Sequence, residues 1–215
     1  MPNQYDLTRY DGRLAIMVDS RVAEGAGRGI FFRAARGTSE ADVRIMTGHG
    51  RGICTVTIDE PTAMRLRLYP QGSVPHDADL PYLANSVEAT SCTETGISAQ
   101  ERATTMDALG RPGVKAEDLV TPGHIMVQVA RNVFRPEASL PEHAYMLMSA
   151  RTDSRFASWC DILNEEGDIA SADECTQLAA KLGLDSFPAA DVEAYGRVEL
   201  ADWVRAIEFS KARFS

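Results

Sequence analysis

The chain has 215 residues, a formal charge of −9 and a sequence pI near 5.0. That length suits one sizeable domain, and the acidic balance argues against a nucleic-acid or anionic-membrane surface. No apolar run approaches membrane-spanning length. The four cysteines, Cys54, Cys92, Cys160 and Cys175, lack the CxxC spacing of a structural zinc site. Met1 to Arg13 is polar with no signal-peptide core, so a cytoplasmic, reduced protein is expected.

The first twelve residues read as an arm. Arg13 to Asp19 (RLAIMVD) and Gly29 to Ala34 (GIFFRA) are β-like runs, and the Gly- and Ala-rich stretch Ser20 to Arg28 between them has loop chemistry. Ser39-x-x-Asp42 is a capping-box pattern opening a helix with Val43 and Met46 on one face. Ile53 to Ile58 (ICTVTI) is a strand, and Pro61 suits the first turn of the next helix, where its missing N–H is harmless. Tyr69 to Pro81 is a long loop with three prolines, and Ser86 to Ala89 re-enters the sheet. Ser98-x-x-Glu101 is a second capping box, for a helix ending near Gly110.

His124 to Ala130 is a strand. Pro141 to Arg151 is a helix capped by Ser139, and Trp159 to Leu163 is a strand closed by the turn Asn164 to Asp168. Ser171-x-x-Glu174 caps a helix ending at Gly183. Val198 to Arg213 carries Leu200, Trp203, Val204 and Ile207 at helical spacing, an amphipathic helix that either docks on its own domain or serves a dimer. Strands and helices mix irregularly, which predicts an α+β fold: a mixed sheet with packed helices over residues 13–197, between an arm (1–12) and a C-terminal helix (198–215).

Three segments carry a family resemblance. Thr95-Gly96-Ile97-Ser98-Ala99-Gln100-Glu101-Arg102-Ala103-Thr104-Thr105 is followed by Thr121-Pro122-Gly123-His124 and then by Cys160-Asp161-Ile162-Leu163-Asn164-Glu165-Glu166-Gly167. In this order they resemble the TGISAxDRxxT, RPGH and CEILNxDG segments of the 3,4-dihydroxy-2-butanone 4-phosphate synthase family. His49-Gly50-Arg51-Gly52-Ile53 is similar to that family's HGxGL. The resemblance implies a homodimeric α+β enzyme that opens ribulose 5-phosphate by enolisation, loses water, rearranges the carbon skeleton and expels formate. It also implies a magnesium ion held by the first Glu of a DRENEGD loop and the His of RPGH. Here those positions are Glu24 and His124. A carboxylate and an imidazole are a workable pair for Mg or Mn that keeps waters or takes substrate oxygens.

The departures fall on the site. The loop aligns as Val22-Ala23-Glu24-Gly25-Ala26-Gly27-Arg28, so the family's Arg, second Glu and Asp become Ala23, Ala26 and Arg28. Thr121 stands where the family has a phosphate-contacting Arg. The family Cys falls on Thr55, with Cys54 one place off and therefore on the opposite strand face. The catalytic Glu of GHTEAAVDL falls on His143. This histidine is a candidate acid/base with a pKa suited to neutral pH, or a third ligand completing with Glu24 and His124 a set that suits non-haem iron. Candidate substrate contacts are Arg28, Thr95, Ser98, Thr105, Thr121 and the N–H groups at the helix start after Gly96. Arg33, Arg36 and Arg51 could add to a local basic pocket, and His49 lies near the substrate in the family. Cys92 and Glu94 flank the TGIS loop, and His76 reads as solvated surface.

These losses remove groups that a polyhydroxylated sugar phosphate requires. They lead to the expectation of a divergent enzyme: metal-assisted lyase or isomerase chemistry through an enol(ate), on a small substrate other than ribulose 5-phosphate, in specialised metabolism. The other two readings are an inactive homodimeric paralogue that binds a ligand or partner, and a genuine synthase.

Overall fold

A computed structural model describes residues 6–21, 27–73 and 77–201. Its strands are β1 (Ala15–Asp19), β2 (Arg28–Ala34), β3 (Thr55–Asp59), β4 (Tyr82–Ala89), β5 (Leu119–Ala130), β6 (Ala157–Asp161) and β7 (Ser186–Pro188). Its helices are α1 (Glu40–Ile45), α2 (Glu60–Arg65), α3 (Ala99–Gly110), α4 (Leu140–Arg151), α5 (Ala172–Leu182) and α6 (Ala189–Glu199). The strands form one mixed sheet in the order β4-β5-β3-β6-β2-β1-β7. β3 runs parallel to β5 and β1 to β7, and the other neighbours are antiparallel.

Alternation along the strands makes both sheet faces apolar. Ile16, Phe31, Val56 and Val127 point to one face, where α1, α3 and α5 bring Val43, Met106, Leu109 and Ala179. Met17, Ile30, Phe32 and Trp159 point to the other, where α4 and α6 bring Leu140, Ala144, Leu147 and Val192. Every residue of α4 from Leu140 to Met148 is buried, as expected of a helix with no solvent face. Each large apolar side chain so buried contributes about 1.5–3 kcal/mol. The α+β architecture is therefore as expected. Among the described residues no helix is long and apolar enough to cross a membrane.

Four details differ from the sequence reading. Leu7 and Tyr10 are buried in the second core, Tyr10 against Phe32 and Phe187, so residues 6–12 are not a free arm. β5 begins at Leu119 rather than His124, because its first half pairs with Glu88 and Ala89 of β4. The Ser98 box is only half formed, since its hydroxyl accepts from Glu101 N–H while the Glu101 carboxylate reaches elsewhere. β7 and α6 were not foreseen, and the helix expected over Val198 to Arg213 lies outside the described residues beyond residue 201, as does His76.

Strand direction positions the site. β2, β3 and β5 enter the sheet, and β1, β4 and β6 leave it, at one end. That end collects Asp19, Arg28, Cys54, Asp161, Glu88 and His124.

Candidate functional site

The TGIS loop is held by its own helix. The buried Glu101 carboxylate accepts from the N–H groups of Glu94 at 2.7 Å, Gly96 at 2.8 Å and Thr93 at 2.9 Å. These donors, Glu94 first, hold its carboxyl below the ordinary value, and nearby His124 adds to the effect. The N–H of Gly96 is thus already engaged, whereas the N–H groups expected to receive a phosphate are those at the helix start after it. Thr105 is also a strut. It is buried, its hydroxyl accepts from Ala89 N–H at 3.0 Å and donates to the Glu101 carbonyl, so it is not an open substrate contact. Thr95 and Ser98 remain exposed on the loop, and Thr121 is exposed on β5.

His124 projects from β5 with its side chain 42% exposed, and its Nδ1 lies 2.9 Å from Glu88 Oε2 on β4. An ionised carboxylate only accepts, so beside it Nδ1 donates and Nε2 is the ring nitrogen left to accept. Glu88 went unremarked in the sequence because the strand pattern gave no reason to pair it with a histidine 36 residues away. Glu24, the proposed partner ligand, lies outside the described residues. Among the described residues, no group of three or more His, Cys, Asp or Glu is arranged to hold a metal.

Cys54 and Thr55 do lie on opposite strand faces. Cys54 is buried beneath α3, with Arg102 Nη1 3.8 Å from its sulfur. The Cys160 thiol, then the Arg102 guanidinium, pull the Cys54 pKa down against its burial, and Cys160 is raised in turn. Thr55 is buried between Trp159 and Met126 in register, with its hydroxyl directed to the Ile53 carbonyl. Neither of these two side chains is open to solvent. Arg28 is half-buried at the start of β2 and opposes the upward shift that burial gives Asp161. Arg33 is committed to Asp42. His49 and Arg51 line a separate groove of about 420 Å³ with Asn164, Glu165 and Lys181.

His143 departs furthest from expectation. It is 1% exposed on α4, and neither ring nitrogen has a hydrogen-bond partner. Glu193 of α6 is the nearest acid, at 3.8 Å from Nε2, with Asp19, Arg21 and Arg197 also close enough to act on the ring. Burial pushes its pKa down to about 4, with Glu193 opposing. The expectation of an acid/base tuned to neutral pH is therefore reversed: this ring is neutral at pH 7. Nor does the chain bring it to His124. The His143 cluster sits at β1, four sheet positions from β5, which at ~4.8 Å per strand is on the order of 19 Å. The set of Glu24, His124 and His143 around one iron is not formed within this chain. The neighbouring Glu142 is fully buried in the capping box of Ser139, and Arg135 and Ser139 hold one of its oxygens. Burial raises its pKa.

Residues 8–195 match the model of the 3,4-dihydroxy-2-butanone 4-phosphate synthase family. The chain belongs to that family. The riboflavin biosynthesis protein RibBA of Bacillus mycoides (strain KBAB4) is 33% identical over 189 residues, covering 86% of this chain and 46% of that protein. The Bacillus cytotoxicus RibBA is 32% identical over 188 residues with the same coverage, so this chain spans about half the length of these relatives. The two-domain synthase RibBX of A. baumannii superposes with a TM-score of 0.73 at 28% identity, over 84% of this chain and 53% of that one. The Candida albicans synthase gives 0.75 at 22%, over 92% and 94% of the two chains. A synthase solved with two magnesium ions gives 0.75 at 21%, over 86% and 91%.

Proposed function

We propose that this chain performs the reaction of its family, the metal-assisted opening of ribulose 5-phosphate through an enediolate, giving 3,4-dihydroxy-2-butanone 4-phosphate and formate. The observation that carries the reading is His124, a half-exposed histidine at the position of the family's metal-binding histidine whose Nδ1 is backed by Glu88. The RibBA relatives are riboflavin biosynthesis proteins, and the superposed synthase with two magnesium ions binds the cation expected here.

The donor chemistry fits a divalent ion. A carboxylate-backed imidazole is the usual form of a metal-binding histidine. His124 would hold the ion with Glu24, and substrate oxygens and water would complete the shell. Such an ion supplies charge stabilisation to the oxygens of the enediolate. The chain's own residues position the substrate in this reading: Arg28 draws the phosphate, while Thr95, Ser98 and Thr121 offer hydroxyls at the same sheet end. Cys54 and His49 keep supporting places, Cys54 through Arg102 and His49 from its groove. A second copy of the chain would cover the edge strand β4, where Leu83 is 45% exposed.

A second reading, the same enolate chemistry on a less hydroxylated substrate, is favoured by Ala23 and Ala26 in the loop and by Thr121 beside the PGH segment. One assay separates them. Wild type and His124→Ala are incubated with ribulose 5-phosphate and Mg²⁺, and formate is measured. Formate from wild type alone establishes the first reading. No formate from a protein that binds Mg²⁺ through His124 leaves the second.

A further inference from the structure

We infer that Glu88 is the positioning residue of the site: its carboxylate fixes the orientation and tautomer of His124 so that Nε2, not Nδ1, is presented to a divalent cation. The inference rests on the metal role proposed for His124. Nothing in the sequence marks Glu88, yet three separate features of the backbone lie against it.

The first is Gly96. Its φ is +77°, and a Cβ built there would lie 1.8 Å from Glu88 Cδ and 1.9–2.0 Å from both carboxylate oxygens. The Glu88 carboxylate therefore occupies the volume a side chain at position 96 would need. The second is Gly123, where a Cβ would fall 2.1–2.4 Å from the backbone of Val87 and Glu88, so only glycine lets β5 cross β4 at this point. The third is the pairing irregularity. β4 and β5 shift register between Ala84 and Val87 and again between Val87 and Glu88. Such bulges re-aim a side chain, and here the re-aimed side chain meets His124 at 2.9 Å.

The wall behind Glu88 is rigid as well. Glu101 ties the N–H groups of Thr93, Glu94 and Gly96, so the loop against which the carboxylate rests is itself clamped. The Glu88 side chain is 13% exposed, against 42% for His124. One partner is fixed in the protein and the other is offered to solvent. That asymmetry is what an outer partner of a metal-binding histidine requires, and removing such partners elsewhere costs about 10- to 100-fold in metal affinity.

The test uses the full chain as wild type, Glu88→Ala, Glu88→Gln and His124→Ala, each shown to be folded by circular dichroism. Mn²⁺ affinity is read by electron paramagnetic resonance, and the His124 tautomer by ¹⁵N NMR of the imidazole, assigned by its loss in His124→Ala. The expected result is Mn²⁺ binding about 10- to 100-fold weaker in Glu88→Ala, with His124 leaving the Nδ1–H form. Glu88→Gln, whose amide oxygen still accepts from Nδ1–H, should keep the tautomer and lose less affinity. An unchanged tautomer in Glu88→Ala overturns the inference. If Glu88→Ala then abolishes Mn²⁺ binding as fully as His124→Ala, Glu88 is a ligand rather than a positioning residue. If His124→Ala binds Mn²⁺ as wild type does, the metal reading falls, and the tautomer comparison alone decides the role of Glu88.

Discussion

His143 makes this fold acid-sensitive in a way that a leucine at the same position should remove. The ring is 1% exposed, and both of its nitrogens lack hydrogen-bond partners. Glu193 Oε2 at 3.8 Å is too distant to hold its proton, Asp19 helps little, and Arg21 and Arg197 oppose protonation. Its pKa is accordingly pushed down to about 4 in the fold, against about 6.5 for the unfolded chain. The sign follows. The unfolded chain takes up a proton below pH 6.5 and the folded chain does not, so the contribution is complete above pH 6.5. It is lost as pH falls towards the folded value. Linkage puts the loss at about 2.5 kcal/mol by pH 4.5. Urea denaturation of wild type and His143→Leu at pH 7.5 and 4.5 isolates this term, because the other acids titrate in both proteins. At pH 7.5 the two should agree within about 1 kcal/mol, since leucine fills a similar volume and the ring makes no hydrogen bond to lose. At pH 4.5 the balance should move in favour of the leucine variant by about 2–3 kcal/mol. A difference that does not change with pH, or one that moves towards wild type in acid, would show that the fold holds a charged imidazolium beside Glu193 and would refute the argument.

Thr105→Val should destabilise the chain by about 1–3 kcal/mol in denaturant titration, because Ala89 N–H loses its buried acceptor. It should leave the substrate KM unchanged, and a raised KM would restore Thr105 as a substrate contact. Gly96→Ala should weaken Mn²⁺ binding although Glu88 and His124 are both intact, since the new methyl takes the place of the carboxylate; unchanged affinity by electron paramagnetic resonance would mean that the two side chains do not depend on that space. Of the four thiols only Cys92 is not buried. One equivalent should therefore react quickly with a chromogenic disulfide in the native state and the other three only on unfolding, and a second fast thiol would show that Cys54 is accessible.

The fold was legible where local chemistry is strong. Ser39 and Ser171 form the expected capping boxes, Pro61 sits in a first turn, and Gly183 closes α5 in a left-handed conformation. The alternating runs of β1, β2 and β3 were found within two residues at each end. β7, at three residues, is too short to show a period, and α6 follows it without a side-chain cap. The site was legible only as a set of motif positions. His124 could be named from Pro122-Gly123-His124, but Glu88, Glu101 and Glu193 act through partners that the fold supplies from other elements. Burial is also invisible in a motif. Thr105 and His143 carry the right atoms in the right places along the chain, and both point into the interior. The register of a motif in the GHTEAAVDL region decides between Glu142 and His143, and one place along a buried helix exchanges a capped carboxylate for an unpaired imidazole.

The proposed chemistry depends on a divalent cation at His124. Crystals of the full chain soaked in Mn²⁺ and measured at an anomalous wavelength test this directly. The expected result is an anomalous peak within bonding distance of His124 Nε2, on the side away from Glu88, with the Glu24 carboxylate as the second protein ligand. No peak at His124, or a peak bound through Nδ1, would contradict it.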